Sequence, residues 1–192
     1  RFSTLESGKP VMIPVYSNDY FKGIKGEICE SVQFNYNEDK GLTVSFMKEV
    51  QPKVIQFKTE KIAGDVGLKI LLTLNNGNMF GRSFYRKLCK FDKIITELAA
   101  NRQRQHLKTA SAKYKMLINK IRNFIKNEIN RIFNRIVELY APKKLILENL
   151  NFSSPDLSKK LNRILQNFGK GIIEKKLESI NEEYKIEIKK VN

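Results

Sequence analysis

The sequence predicts an α/β protein, with a core of βββ–α–β–α–β order preceded by a small antiparallel β unit. Three observations carry this reading. Short runs of β-branched and aromatic residues crowd the first third of the chain. A long central stretch repeats apolar residues every three or four positions, the period of a helix face. A strand pattern, a second helical pattern and a last strand pattern then follow, and that alternation implies helices laid on a sheet.

Taken in order, Val11 to Val15, Ile28 to Tyr36 and Leu42 to Phe46 read as strands, with Asn37-Glu38-Asp39-Lys40-Gly41 as the turn between the last two. Val54 to Phe57 adds a further strand, so residues 1–58 read as a partial, barrel-like β unit. The core, residues 59–192, opens with a strand through Ile62-Ala63-Gly64-Asp65. A second strand spans Lys69 to Leu74, Asn76-Gly77 is a two-residue hairpin signal, and a third strand returns through Asn78 to Gly81. A helix from about Ser83 to Arg104 keeps Phe84, Leu88, Phe91, Ile95 and Leu98 on its inner side. Periodicity lapses from Gln105 to Ala112, then resumes from Tyr114 through Leu117, Ile121, Ile125, Ile129, Ile132 and Ile136 to Tyr140. Pro142 stops that helix, because proline cannot continue one. The two helices form an insertion over 83–141. Lys144-Leu-Ile-Leu-Glu148-Asn-Leu is a buried-type strand, Asn151 to Pro155 a loop, Leu157 to Tyr184 a helix and Lys185 to Val191 the closing strand.

The 192 residues carry 36 Lys and Arg against 20 Asp and Glu, a net charge of +16 with 41% hydrophobic residues. That hydrophobic fraction excludes a disordered polycation. No apolar run reaches the roughly 18 residues of a membrane span. Cys29 and Cys89 stand apart without a CxxC partner, which argues against a disulfide framework or a zinc site in these residues and points to a reducing cytoplasm. The charge predicts a polyanionic partner, most simply nucleic acid. Residues 86–140 hold 14 basic and 4 acidic groups, net +10, whereas 1–61 and 62–85 are each only +1. A concentrated block implies an oriented surface. Arg102, Arg104, Lys108, Lys113, Lys115, Arg122 and Lys126 are the candidate nucleic-acid contacts, and Lys115, Arg122 and Lys126 fall on one helix face. His106, beside Arg104 and Lys108, fits an exposed or phosphate-facing role better than catalysis.

Two acids stand out. Asp65 lies in an otherwise apolar strand, where burying a charge is unfavourable without compensation. Gly64 and Gly67 are expected to leave open space around it for a metal ion and a phosphate. Glu148 lies toward the end of the fourth strand, which in this order can neighbour the first. Alone, each acid reads as a solvent-facing strand end; together they can form one metal site. Mg²⁺ takes hard oxygen ligands, often one or two carboxylates plus substrate phosphate oxygens. A pair of ions about 4 Å apart can activate water and stabilise the leaving oxygen of a phosphodiester.

Gly64-Asp65-Val66-Gly67-Leu68-Lys69, Leu72-Thr-Leu-Asn-Asn-Gly77, the basic helical pair and Leu147-Glu148-Asn149-Leu150-Asn151 together resemble the RuvC-like nuclease core of the transposon-encoded TnpB proteins, relatives of the type V CRISPR effectors. Leu161-Asn-Arg-Ile-Leu-Gln-Asn-Phe168, running on to Glu183-Tyr184-Lys185-Ile186, is similar to the helix and strand that precede that family's zinc ribbon. The resemblance covers roughly residues 54–192, and 10–50 look more loosely like the family's guide-RNA-gripping β-barrel. It implies an RNase H-like (RuvC-type) fold, RNA-guided DNA cleavage with Mg²⁺ or Mn²⁺, and guide RNA and target DNA as partners. Asp65 matches the family's first catalytic and metal-binding acid, and Glu148 its second. The third acid, with a CxxC…CxxC zinc ribbon, would follow Asn192, so the core is expected to be incomplete at that end and zinc is expected only there. The alternative, on the same fold, is a nuclease-inactive RNA-guided DNA-binding regulator. A structural protein with scaffold helices ranks below both, because it leaves the placement of the two acids to chance.

Overall fold

A computed structural model of the chain describes residues 19–38, 41–106, 111–148 and 152–191. The fold divides into two compact units, 1–51 and 52–192. In the first, a one-turn helix α1 (Asp19–Gly23) precedes an antiparallel pair, β1 (Glu27–Asn37) and β2 (Gly41–Glu49). The register sets Val32 opposite Phe46, Phe34 opposite Val44 and Tyr36 opposite Leu42. Residues directly opposite share a face, so these six make one apolar side, while Gln33/Ser45 and Asn35/Thr43 make the other polar. The Lys48 ammonium donates to the Phe21 and Ile24 carbonyls at 2.8 Å each, tying α1 to β2. The strand expected at Val11 to Val15 lies outside the described residues, as do Asp39 and Lys40 of the expected turn.

The second unit contains a mixed five-stranded sheet. Its strands are β3 (Thr59–Asp65), β4 (Leu72–Leu74), β5 (Met79–Phe80), β6 (Pro142–Glu148) and β7 (Glu187–Val191), in the order β5-β4-β3-β6-β7. β3, β6 and β7 run parallel, and β4 and β5 run antiparallel to their neighbours. The chain is thus mixed α/β, and the first and fourth strands of the core are hydrogen-bonded neighbours. Between β5 and β6 run α2 (Phe84–Arg104) and α3 (Ala112–Tyr140). α3 starts where the Ser111 hydroxyl accepts from the Tyr114 N–H at 3.2 Å, an N-cap interaction. It ends where Ala141 turns left-handed (φ 35°) and Pro142 opens the next strand. Ile121, Ile125, Ile129, Ile132 and Ile136 along α3 are fully buried, as the spacing requires. After β6, α4 (Lys159–Ile164), a π-helical turn (Leu165–Gly169) and α5 (Lys170–Tyr184) form one continuous rod.

Alternation decides which sheet face meets these helices. Ile62, Leu145 and Leu147 point inward with at most 3% exposure, joined by Leu72 and Leu74, whereas Lys61, Ala63, Lys144 and Ile146 point outward. Three expectations are corrected. Val54 to Phe57 forms no strand; the chain there is irregular, anchored by the Lys53 N–H to the Glu183 carbonyl (2.7 Å) and the Lys58 N–H to the Ala141 carbonyl (3.0 Å). The Lys69 to Leu74 strand shrinks to three residues, because Leu68, Leu71 and Leu72 all turn into the core and abandon the alternation of a strand. The helix expected from Leu157 to Tyr184 is continuous but starts at Lys159 and is not uniformly α: it carries a π turn where Gly169 lies so close to Phe152 that a Cβ would stand 2.7 Å from its ring. No helix among the described residues is long and apolar enough to cross a membrane.

Candidate metal and nucleic-acid site

The β3–β6 ladder pairs Ile62 with Leu145 and Gly64 with Leu147, so Asp65 and Glu148 are the next positions on adjacent parallel strands. Neighbouring strands lie about 4.8 Å apart, and alternation turns both acids to the outer face. Both are exposed. They share an open cleft of about 430 Å³ with Ala63, Thr73, Asn75, Ile146 and Val191. Asp65 is not buried in its apolar strand; it and Glu148 both sit exposed where their strands end, as each acid taken alone predicts.

Gly64 departs from a second expectation, and Gly67 does not. A Cβ at Gly64 would stand 3.0 Å from Leu72 Cδ1, 3.1 Å from Leu74 Cδ2 and 3.3 Å from Leu147 Cδ2, all on the inner face. One at Gly67 would meet the Ile70 carbonyl oxygen at 3.3 Å. Gly67 nevertheless lines an open cleft beside Asp65, so the expected space exists there and is absent only beneath Gly64. Gly64 lets three leucines close under the strand whose next residue carries the acid.

Two cleft residues were not singled out in the sequence. Thr73 is paired directly with Asp65, so its side chain rises on the same face. Asn75 accepts the Ala63 N–H on its Oδ1 (3.2 Å), while its own N–H donates to the Ala63 carbonyl (2.9 Å), which fixes the side chain at the cleft rim. The signal for both was present. The Asn76-Gly77 turn sets the hairpin register, and Leu72-Thr73-Leu74 alternates in, out, in.

The acids fit a hard divalent cation by their donor chemistry: two carboxylates at adjacent register positions, with a hydroxyl oxygen and an amide beside them. Among the described residues no group of three or more His, Cys, Asp or Glu comes together. Cys29 and Cys89 are free thiols, half-buried and unpaired with each other.

Asp65 also lines a second cleft, of about 390 Å³, with Lys69, Thr73, Tyr85, Ser154 and Pro155. The Tyr85 hydroxyl donates to Asp156 Oδ2 at 3.0 Å. The Ser154 hydroxyl pulls that phenol downward, but shielding from water and the Asp156 carboxylate outweigh it and push the phenol above its ordinary range.

The basic residues occupy the helical layer. The Thr59 hydroxyl and the Lys58 N–H bond the last carbonyls of α3, so α3 ends where β3 begins and its N-terminus points toward the end of the sheet that carries the acids. Its 29 residues span about 43 Å against about 23 Å for the seven of β6. The N-terminal half of α3 therefore packs on helices: Phe124 on Phe84 and Phe91 of α2, and Tyr114 beneath Arg102 of α2 and Lys160 of α4. Lys115, Arg122 and Lys126 are exposed along one side of α3, and Arg104 is exposed at the tip of α2. Lys113 is exposed as well, but two positions from Lys115 is about 200° around a helix, so it faces elsewhere. The Arg102 guanidinium lies over the Tyr114 ring (5.9 Å) and that of Arg122 over Phe168 (5.7 Å), so both arginines also pack on aromatic faces. Lys108 lies outside the described residues. His106 is exposed in a left-handed turn (φ 54°) at the end of α2.

Comparison with protein-family models gave no match, and comparison with curated proteins gave none either.

Proposed function

We propose that this chain is the RNase H-like (RuvC-type) core of an RNA-guided DNA endonuclease that hydrolyses phosphodiester bonds with Mg²⁺ or Mn²⁺, the β1–β2 unit helping to grip guide RNA. One observation carries the reading. Two carboxylates from strands far apart in sequence meet at the C-terminal ends of adjacent parallel strands, on the outer face, in an open cleft. β3 is the strand from which the chain departs to β4 on one side and β6 on the other, and such switch points are where open α/β sheets bind ligands. Asp65 and Glu148 would hold the ion, which supplies a nucleophile from bound water at neutral pH and stabilises charge on the phosphoryl oxygens. The chain's own contribution is positional. The ladder holds the two carboxylates side by side, the open cleft admits a strand, and the basic side of α3 attracts its backbone.

The test is cleavage of labelled target DNA by the protein assembled with its own RNA in Mg²⁺. Asp65→Ala and Glu148→Gln should each reduce cutting to background while leaving RNA binding intact. Normal cutting by both variants would remove the assignment. Tight, salt-sensitive binding with no cutting by the wild type would instead establish the regulator on the same fold.

A further inference from the structure

We propose that the cleft on the far side of Asp65, bounded by Lys69, Tyr85 and the 153–155 loop, is a subsite for the phosphodiester backbone of a nucleic-acid strand leaving the carboxylate pair. This rests on reading the pair as a phosphodiester-cleaving site. The two clefts share Asp65 and Thr73, so they are contiguous around one carboxylate. A strand whose phosphate lies at Asp65 and Glu148 continues in both directions, and the two sides of the site offer it different surroundings. On the Glu148 side the cleft ends in a second carboxylate and the apolar Val191. On the Lys69 side it offers the Lys69 ammonium, beside the Tyr85 phenol and Ser154 hydroxyl, which are bonded to each other and to Asp156 and must turn from those partners to reach phosphate oxygens.

The wall of this subsite is held in place before anything binds. Asn162 accepts the Ser154 N–H on Oδ1 at 2.9 Å and donates from Nδ2 to the Ser154 and Leu157 carbonyls at 2.7 and 3.0 Å. The Asp92 carboxylate, from α2, accepts both the N–H and the hydroxyl of Ser158 at the end of the same loop. A loop fixed at both of these points forfeits little entropy when a ligand arrives. Tyr85 stands on the first turn of α2 and keeps its proton, because the phenol is pushed upward. An incoming phosphate must draw that proton from Asp156, so Lys69 provides the larger attraction and Tyr85 the smaller.

The experiment is fluorescence anisotropy of the 192-residue chain with a labelled single-stranded DNA of about a dozen nucleotides, in Ca²⁺ and across a salt series. Lys69→Ala should weaken binding about tenfold and lower the slope of log K against log salt by roughly 0.7, the share of one phosphate contact on a single strand. Tyr85→Phe keeps the ring, and should weaken binding about fivefold with the slope unchanged, because the phenol gives up its bond to the Asp156 carboxylate for one to phosphate and only a net of about 1 kcal/mol is gained. Wild-type affinity and slope in both variants would overturn the subsite, as would failure of the wild type to bind. The metal reading fails separately: if Asp65→Asn cuts normally in Mg²⁺ while the Lys69 and Tyr85 effects persist, the subsite stands and the catalytic assignment falls.

Discussion

Gly64→Ala separates two accounts of the segment around Asp65. If Gly64 kept space for an ion, a methyl would obstruct the cleft and weaken divalent binding. The structure instead places that methyl among Leu72, Leu74 and Leu147 at 3.0 to 3.3 Å, against an optimum of about 3.5–4.0 Å between carbons. Three fully packed leucines must each retreat by a few tenths of an ångström, a strain of about 1–3 kcal/mol for overpacking. The backbone at Gly64 is not in the left-handed region, so alanine is not strained there and recovers about 0.4–1 kcal/mol by restricting the unfolded chain. The net is a loss of about 1.3 kcal/mol at the middle of both ranges and no more than about 2.6 kcal/mol. For a chain of this size, the middle value lowers the unfolding midpoint by roughly 3–5 °C. Thermal unfolding followed by circular dichroism reads the stability, and Mn²⁺ titration of the folded variant reads the site. Unchanged or raised stability together with weakened Mn²⁺ binding would refute the inward assignment.

Two further substitutions probe what supports the site. Asp92→Ala removes the carboxylate that accepts both polar hydrogens of Ser158, a charge-assisted pair worth about 1.5–3 kcal/mol, and chemical denaturation should show a loss in that range. Glu183, bonded to Lys53 at 2.5 Å, governs part of the pH dependence. Partial burial raises its carboxyl, but the hydrogen bond and charge of Lys53 prevail and hold it below its ordinary value, while the same Glu183 bond raises Lys53. The pair's stabilisation is therefore fully present between the unfolded values of the two groups, near pH 4.3 and 10.4. It is lost as the pH falls through the depressed Glu183 value or rises through the elevated Lys53 value. Both side chains are partly exposed, so Glu183→Gln should flatten the acid limb of a stability–pH curve by no more than about 1 kcal/mol, and an unaltered limb would show that the pair contributes nothing.

What the sequence disclosed follows from what is local. The isoleucines of α3 recur with the period of a helix and need no partner to be recognised. The Asn76-Gly77 turn announces its hairpin. Strand order could be read because β3 and β6 each carry an apolar run bounded by helix or turn signals. What remained hidden depends on partners. Val54 to Phe57 has the composition of a strand but no neighbouring ladder to join. The direction of Gly64 follows from its register with Leu74 and Leu147, and glycine itself has no side chain to indicate a face. The π turn adds one residue to a single helical turn, too small an interruption to disturb the apolar spacing of Leu161, Leu165, Ile173 and Leu177. The candidate site was legible as two acids; its rim, Thr73 and Asn75, needed the pairing.

The outward placement of Asp65 and Glu148 also bears on how such a protein can change over generations. Among the described residues the buried core is made of aliphatic and aromatic side chains and contains neither carboxylate. Replacing one acid by its amide is a single-step change that removes the ligand chemistry and leaves the scaffold folded, its basic side and its clefts intact. On the proposed reading, a cutter and a silent binder are thus near neighbours in sequence space, and lineages can cross between them without passing through an unstable intermediate.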